Sequence, residues 1–241
     1  TFAVQVTTQK APQLHTHYAS LRVKDAIVDY FQDFMGIRPN VELKNPDIRF
    51  FVHIRAKNYT LYWDMSGEPL HKRGIRLEQG EAPLRENLAA ALLYCSHWPK
   101  KAQQNFDFLD PMCGAGTLLI EAALMAYQIA PGLYRSEFAF MQGRNYDVKL
   151  WQTLKATAKE QAKIGRSSYS GCFYGIEKDN RMIGVAKANA KRAEVFDGMQ
   201  FHRQTFVRMA KPEALTKALI VTNPPYGKRL QGRRQSLVGS T

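Results

Sequence analysis

The chain opens on an alternating run, Phe2-Ala3-Val4-Gln5-Val6, whose period of two predicts a strand. Leu21, Val23, Ile27, Tyr30, Phe31 and Phe34 then recur at spacings of three or four. That pattern predicts a helix with these side chains along one face, and Asp25, Asp29 and Asp33 on the other as solvated charge. "IRFFVHIRA" (48–56) and "YTLYWDMSG" (59–67) predict two strands around a tight Lys57-Asn58 turn. The first part of the chain is therefore a small β-α-β-β unit.

A polar, basic connector follows, "LHKRGIRLEQGEAPLREN" (70–87), then a short apolar helix, "LAAALLYCSHW" (88–98). From residue 105 the pattern changes. Strands at 106–110, 172–177, 199–204 and 218–222 alternate with helices expected at 117–128, 147–164, 179–193 and 206–216. Strands alternating with helices predict a parallel, doubly wound α/β sheet. The expected division is 1–68, a first domain; 69–104, connector and entry helix; and 105–241, the α/β domain.

Composition narrows the possibilities. The 241 residues are 45% apolar, and no clean apolar run of membrane-spanning length occurs. "TFAVQVTTQK" lacks the layout of a signal peptide. Cys95, Cys113 and Cys172 are far apart and form no CxxC pair, so a reduced, cytoplasmic protein without a metal site is expected. Net charge is +13, and most of the excess lies after residue 110, while the first 70 residues are nearly balanced. A basic second half is a candidate for contact with nucleic acid or another polyanion.

The candidate chemistry sits at strand ends. The first α/β strand ends on Asp110, followed by Pro-Met-Cys-Gly-Ala-Gly-Thr and a helix. Gly114 and Gly116 permit positive φ and a close approach of backbone to ligand. Leu119 stands where a dinucleotide fingerprint has its third glycine. A pyrophosphate also wants helix N–H groups with no carboxylate facing it. Asp110 instead suits a ligand with a cationic amine, such as the aminocarboxylate tail of S-adenosylmethionine (SAM). Glu177, at the end of the second strand, is placed to accept from both hydroxyls of a ribose. It lies about 60 residues beyond the glycines, so an insertion containing the 147–164 helix separates the two strands. Asp179 is placed to cap the next helix.

After the fourth strand comes "TNPPYGKRL" (222–230). Two prolines cannot continue a central strand, so the strand stops and a stiff loop follows. In an open sheet of order 3-2-1-4 the strand order reverses between strands one and four, and ligands bind at such a reversal. Asn223 to Tyr226 should then face the glycine turn. The Asn223 side-chain oxygen and the Pro224 carbonyl form two acceptors suited to an exocyclic amine. Pro225 stiffens the loop, and Tyr226 offers a face on which a base can stack.

"DPMCGAGTLLIEAA", "GIEKDN" and "TNPPYGKRL" resemble the amino-methyltransferases with a DPxCGxGT first motif and an NPPY fourth motif. The connector, with "LRVKDAIVDYF", "PDIRFFVHI" and "WDMSG", is similar to the RNA-modifying branch that carries a THUMP domain, and most of all to its large-subunit (23S) rRNA guanine-N2 members. The resemblance implies a Rossmann-like class I SAM methyltransferase domain, incomplete at its C-terminal end, preceded by a partial α+β THUMP domain. It implies SAM as cofactor, held by Asp110, Pro111, Cys113, Gly114, Gly116, Thr117, Glu177, Thr205 and Asn223. Thr205 stands where the family usually has an acid for the adenine amine. Pro83 to Glu86 resembles a stretch lining the cofactor pocket. Cys113 has no nucleophilic role to play, because amino methylation needs no covalent enzyme adduct.

The expected activity is methyl transfer to N2 of a flipped-out guanine in 23S rRNA, met as free or early-assembly RNA, with no membrane and no metal involved. Arg73, Arg76, Lys228 and Arg229 are the candidate RNA contacts, and His71 sits among them in the connector. Three alternatives remain open: a DNA adenine-N6 methyltransferase, a tRNA guanine-N2 methyltransferase, or a non-catalytic RNA-binding remnant.

Overall fold

A computed structural model describes residues 1–10, 13–75, 84–209, 215 and 217–224. The chain forms two compact units. One is Thr1–Leu70 with Arg135–Leu150, and the other is His71–Tyr134 with Trp151 onward.

In the first unit, β1 (Phe2–Gln9), α1 (Thr16–Met35), β2 (Ile48–Arg55) and β3 (Asn58–Trp63) follow in the predicted order. β2 lies in the middle, parallel to β1 and antiparallel to β3. Alternation sends Val52 and Ile54 to one face, where they are buried against Ala19 with Val4, Val6 and Val23 packed around them. α1 ends at Gly36, whose left-handed backbone (φ 66°) lets its N–H reach the Gln32 carbonyl.

Two expectations need correction here. The hairpin turns at Ala56 and Lys57, not at Lys57-Asn58, with Ala56 taking the positive φ. On α1, Leu21, Tyr30, Phe31 and Phe34 are exposed, while Ala19 and Val28 are buried. A helix approaches a sheet through its small side chains, and the rings of Tyr30 and Phe34 lie 4.5 Å apart on its outer side.

The insertion anticipated between the first two α/β strands returns to this unit. Arg135, buried, donates to the carbonyls of Ser66 and Glu68, both at 3.0 Å, with its guanidinium over the Phe138 ring. The Phe140 N–H reaches the Met65 carbonyl. Nothing in the linear text ties "WDMSG" to a segment so far downstream.

The second unit contains α2 (Glu86–Cys95), α3 (Trp98–Ala102), β4 (Asp107–Asp110), α4 (Thr117–Ala126), most of α5 (Val148–Ser168), β5 (Phe173–Glu177), α6 (Asn180–Arg192), β6 (Met199–Arg203) and β7 (Ala218–Ile220). Its four strands are all parallel in the order β6-β5-β4-β7, the 3-2-1-4 arrangement under which the two strand-end motifs become neighbours. The helix expected over 88–98 is two helices, because His97 adopts a left-handed conformation (φ 59°) between them. The helix expected over 206–216 is seen only as a 3-10 turn, Phe206–Arg208; most of the remainder lies outside the described residues.

α4 is the centre of this core. Nine of its ten residues are buried, because the sheet covers one side and α2 and α6 pack against others. A helix covered from several sides is apolar all round, and "TLLIEAALMA" is apolar but for Thr117 and Glu121. Trp98 is fully buried; its indole N–H donates to the Ala122 carbonyl at 2.9 Å and its ring meets Phe108 edge-on.

Candidate active site

The sheet order makes β4 and β7 neighbours, so the turn after Asp110 and the loop after Ile220 leave the same end side by side. Val221 extends the pairing, its N–H donating to the Leu109 carbonyl at 3.1 Å. That register brings Thr222 to Asp110 and starts Asn223-Pro224 at the rim. Asn223 is half-buried and Pro224 exposed. Pro225, Tyr226, Lys228 and Arg229 lie outside the described residues, as does Arg76.

The glycine turn is tied down from several directions. Asp110, 2% exposed, accepts from the Met112 N–H at 3.1 Å. The Cys113 N–H donates to the Ile176 carbonyl on β5, and the Gly116 N–H to the Cys113 carbonyl. The two glycines serve different ends. Gly114 (φ 53°) would meet nothing within 4 Å if it carried a Cβ, so open space lies before it. At Gly116 (φ 81°) a Cβ would come within 3.1 Å of the Ala186 Cβ, so this glycine admits α6. Pro111 is buried in the turn, and Thr117, also buried, begins α4.

Glu177 sits at the end of β5. Its Oε2 accepts from the Gly114 N–H at 3.1 Å and its Oε1 from the Asp179 N–H at 3.0 Å. A carboxylate has about four acceptor positions, so each oxygen keeps capacity for a ligand hydroxyl. Asp179 caps α6 through the Arg181 N–H at 2.8 Å, as its place in the sequence predicts. Thr205, exposed, follows β6 on the same edge.

Electrostatics select the ligand. Burial raises the Asp110 carboxyl to about 6, and the nearby Glu177 charge adds to this, while the Thr222 hydroxyl and the Met112 N–H work the other way. The Thr222 hydroxyl favours the Asp110 carboxylate from nearby without completing a hydrogen bond of ordinary geometry, and it is buried with no partner. Two carboxylates repel phosphate and attract a cation that can donate hydrogen bonds. The residues present fit SAM: Asp110 for its ammonium, Glu177 for its ribose, and the open side of Gly114 for its passage. The surroundings of Cys113 disfavour a thiolate. Its side chain is buried, and burial pushes the thiol well above its ordinary range.

Four residues that pattern reading missed support this arrangement. Asn189, fully buried on α6, donates to the Ala115 carbonyl at 3.2 Å and accepts from Arg192 at 2.9 Å. Its signal was a polar residue among inward-facing apolar positions. At Gly175 a Cβ would strike Leu119 and Phe201 and press on the Cys113 sulfur. Thr222 was read only as part of the motif. Glu121, 1% exposed, pairs with Arg73 at 2.8 Å.

That pair corrects the expectation for Arg73. Its side chain is 10% exposed and its charge is neutralised inside the protein, so it is not a free cation for phosphate. Burial raises Glu121 to about 7 even though Arg73 opposes the shift. Glu86, Thr117, Ile75 and Ile120 join Glu121 around a small apolar hollow beside the first turn of α4. The connector thus reaches the first turn of α4 through Glu86, while Pro83 lies outside the described residues.

Residues 73–237 match the family described as "RMKL-like, methyltransferase domain". The chain belongs to this methyltransferase family. Residues 1–64 match the THUMP domain, so the family member carries a THUMP domain in front, as its motifs implied. Over 233 residues it is 42% identical to the ribosomal RNA large subunit methyltransferase K/L of Desulfotalea psychrophila, covering 95% of this chain and 32% of that one. The Pseudomonas aeruginosa protein of the same name is 41% identical over 231 residues, with the same coverage. The chain therefore spans about a third of the length of these relatives. Among solved structures, a Listeria monocytogenes protein described as a predicted N6-adenine-specific DNA methylase superposes with a TM-score of 0.81 at 32% identity, over 96% of this chain and 58% of that one. SMU.472, described as a methyltransferase complexed with S-adenosylhomocysteine, gives a TM-score of 0.77 at 30% identity, over 95% and 58%. The fold class expected from the sequence stands. Among the described residues no cluster of potential metal ligands occurs and no helix is long and apolar enough to cross a membrane.

Proposed function

We propose that this RMKL-like methyltransferase chain transfers a methyl group from SAM to the exocyclic N2 amine of a guanine in large-subunit ribosomal RNA. The observation that carries the reading is the adjacency of β4 and β7, which sets the Asp110 turn beside Thr222-Asn223-Pro224 at a strand-order reversal. The names of the curated relatives support large-subunit rRNA as the target. The THUMP match supports RNA as the partner class. The protein would work in the cytoplasm, on free or early-assembly 23S RNA.

Bound SAM supplies a methyl group already activated by its sulfonium. Asp110 holds the ammonium end and Glu177 the ribose. The Asn223 side-chain oxygen and the Pro224 carbonyl accept the two N–H bonds of the target amine. That fixes the direction of the nitrogen lone pair without a strong general base. By their place in the motif, Pro225 would restrict the backbone and Tyr226 would offer a ring for the extracted base; both lie outside the described residues.

The test offers tritiated SAM with undermodified rRNA, tRNA and DNA, followed by nucleoside analysis. N2-methylguanine from rRNA is expected. N6-methyladenine from DNA, with no methylguanine from rRNA, would install the second reading, which the Listeria similarity favours. Asn223→Ala should abolish turnover and leave calorimetric SAM affinity nearly intact, because the lost contacts act on the transition state.

A further inference from the structure

We infer that the outer face of α6 is a docking surface for the sugar–phosphate backbone of the substrate RNA, with Gly184 as its point of closest approach. The inference rests on the reading of RNA as the substrate and adds the surface of the second unit that would hold it beside the site. Gly184 is a glycine without an internal reason. It lies inside α6, where glycine supports a helix less well than alanine does. Other glycines of this unit have a packing reason: a Cβ at Gly116 would press on Ala186, and one at Gly175 would strike Leu119 and Phe201. At Gly184 the backbone is ordinary helix and a Cβ would meet nothing within 4 Å. What the missing side chain provides is access, because an outside group can come closer to bare backbone than any side chain permits.

The surroundings of this glycine say what that group is. Arg181 and Lys187 flank it at i−3 and i+3, and Lys191 follows at i+7, so all four share one side of the helix. All four are exposed, while Ile183, Ala186, Asn189 and Ala190 turn inward and are buried. α6 contains no acid, and the Asp179 carboxylate before it is engaged by the Arg181 N–H. Among the described residues Arg181, Lys187 and Lys191 form no ion pair. From Arg181 to Lys191 the face runs about 15 Å. It carries no aromatic ring, so it offers bases nothing to stack on and offers phosphates three free cations. α6 begins three residues after Glu177 at the end of β5, which sets this face next to the cofactor end of the sheet.

The decisive experiment measures binding of the whole chain to two labelled RNA hairpins of unrelated sequence, with the thermal midpoint and calorimetric SAM affinity recorded alongside. Gly184→Leu places a better helix former in open space, so the midpoint should rise by about 1–3 °C. The same variant holds the backbone away and should weaken both hairpins roughly five- to tenfold. Arg181→Gln and Lys187→Gln should each lower the log–log salt slope by about 0.7–0.9, equally for both hairpins, as phosphate contacts do. Lys163→Gln removes an exposed cation of α5 that already pairs with Glu160 and should leave the slope unchanged. SAM affinity should stay at the parent value in every variant. The inference falls if Gly184→Leu binds as the parent does, if it lowers the midpoint and so reveals an internal role for the glycine, or if Lys163→Gln costs as much as the α6 variants. Losses that differ between the two hairpins would also overturn it, because they would mean base reading. A parent chain that binds SAM but neither hairpin would remove the RNA reading itself. Hairpin binding that ignores Gly184, Arg181 and Lys187 would remove only the assignment to this face.

Discussion

α1 and α4 are both confident helices in the sequence, and they end up in opposite circumstances. α1 is 20 residues long and buries only Ala19 and Val28, while Tyr30, Phe34 and Met35 are more than half exposed. α4 has ten residues and buries nine, including Glu121, the partner of Arg73. One helix has a single neighbouring sheet; the other is covered on several sides. Periodicity announces a helix, but the number of layers around it decides how much each side chain contributes. The candidate site borrows its rigidity from the second case, because Gly116 of the glycine turn is the N-cap of α4.

Substitutions can break or sharpen this contrast. Arg73→Ala strips the partner from a buried carboxylate and should cost about 3–5 kcal/mol. Glu121 already sits at about 7, raised above its unfolded value, so the penalty of its charge is present above that pH and absent well below it. Denaturant melts of Arg73→Ala should therefore show a larger loss at pH 8 than at pH 6. Leu119→Ala, at a fully buried position, should cost about 2–5 kcal/mol through transfer and cavity terms.

Asp110→Asn should act in the opposite sense on the ligand-free fold. Its carboxyl is raised to about 6 by burial, so its charge opposes folding above that pH, and the opposition vanishes below the unfolded value near 4. Removing the charge should stabilise the protein at pH 7 by about 1–3 kcal/mol while weakening SAM binding. In the parent, calorimetric SAM affinity should fall as pH drops through about 6; the Asn variant should show no such dependence, and an unchanged affinity would overturn the role of Asp110. Phe34→Ala, on the exposed side of α1, should change stability by less than about 0.5 kcal/mol. A large loss there would mean that α1 is covered after all.

The sequence by itself determined the alternation of strand and helix and the two strand-end motifs. Each of these is local: a period, a glycine or proline with restricted geometry, or an acid at a strand terminus. It also carried the Asp179 cap, which depends on a hydrogen bond two residues away. Tertiary structure alone decided what depends on distant partners. Arg73 became an internal counter-ion for Glu121, Asn189 a brace under Ala115, and Arg135 a clasp on the carbonyls of Ser66 and Glu68. The same holds for the two glycines of one turn, alike in sequence, of which one opens towards solvent and the other admits a helix. Long-range contacts carry no period along the chain. A polar side chain reads the same whether it ends in water or against a partner many residues away, until the fold brings that partner to it.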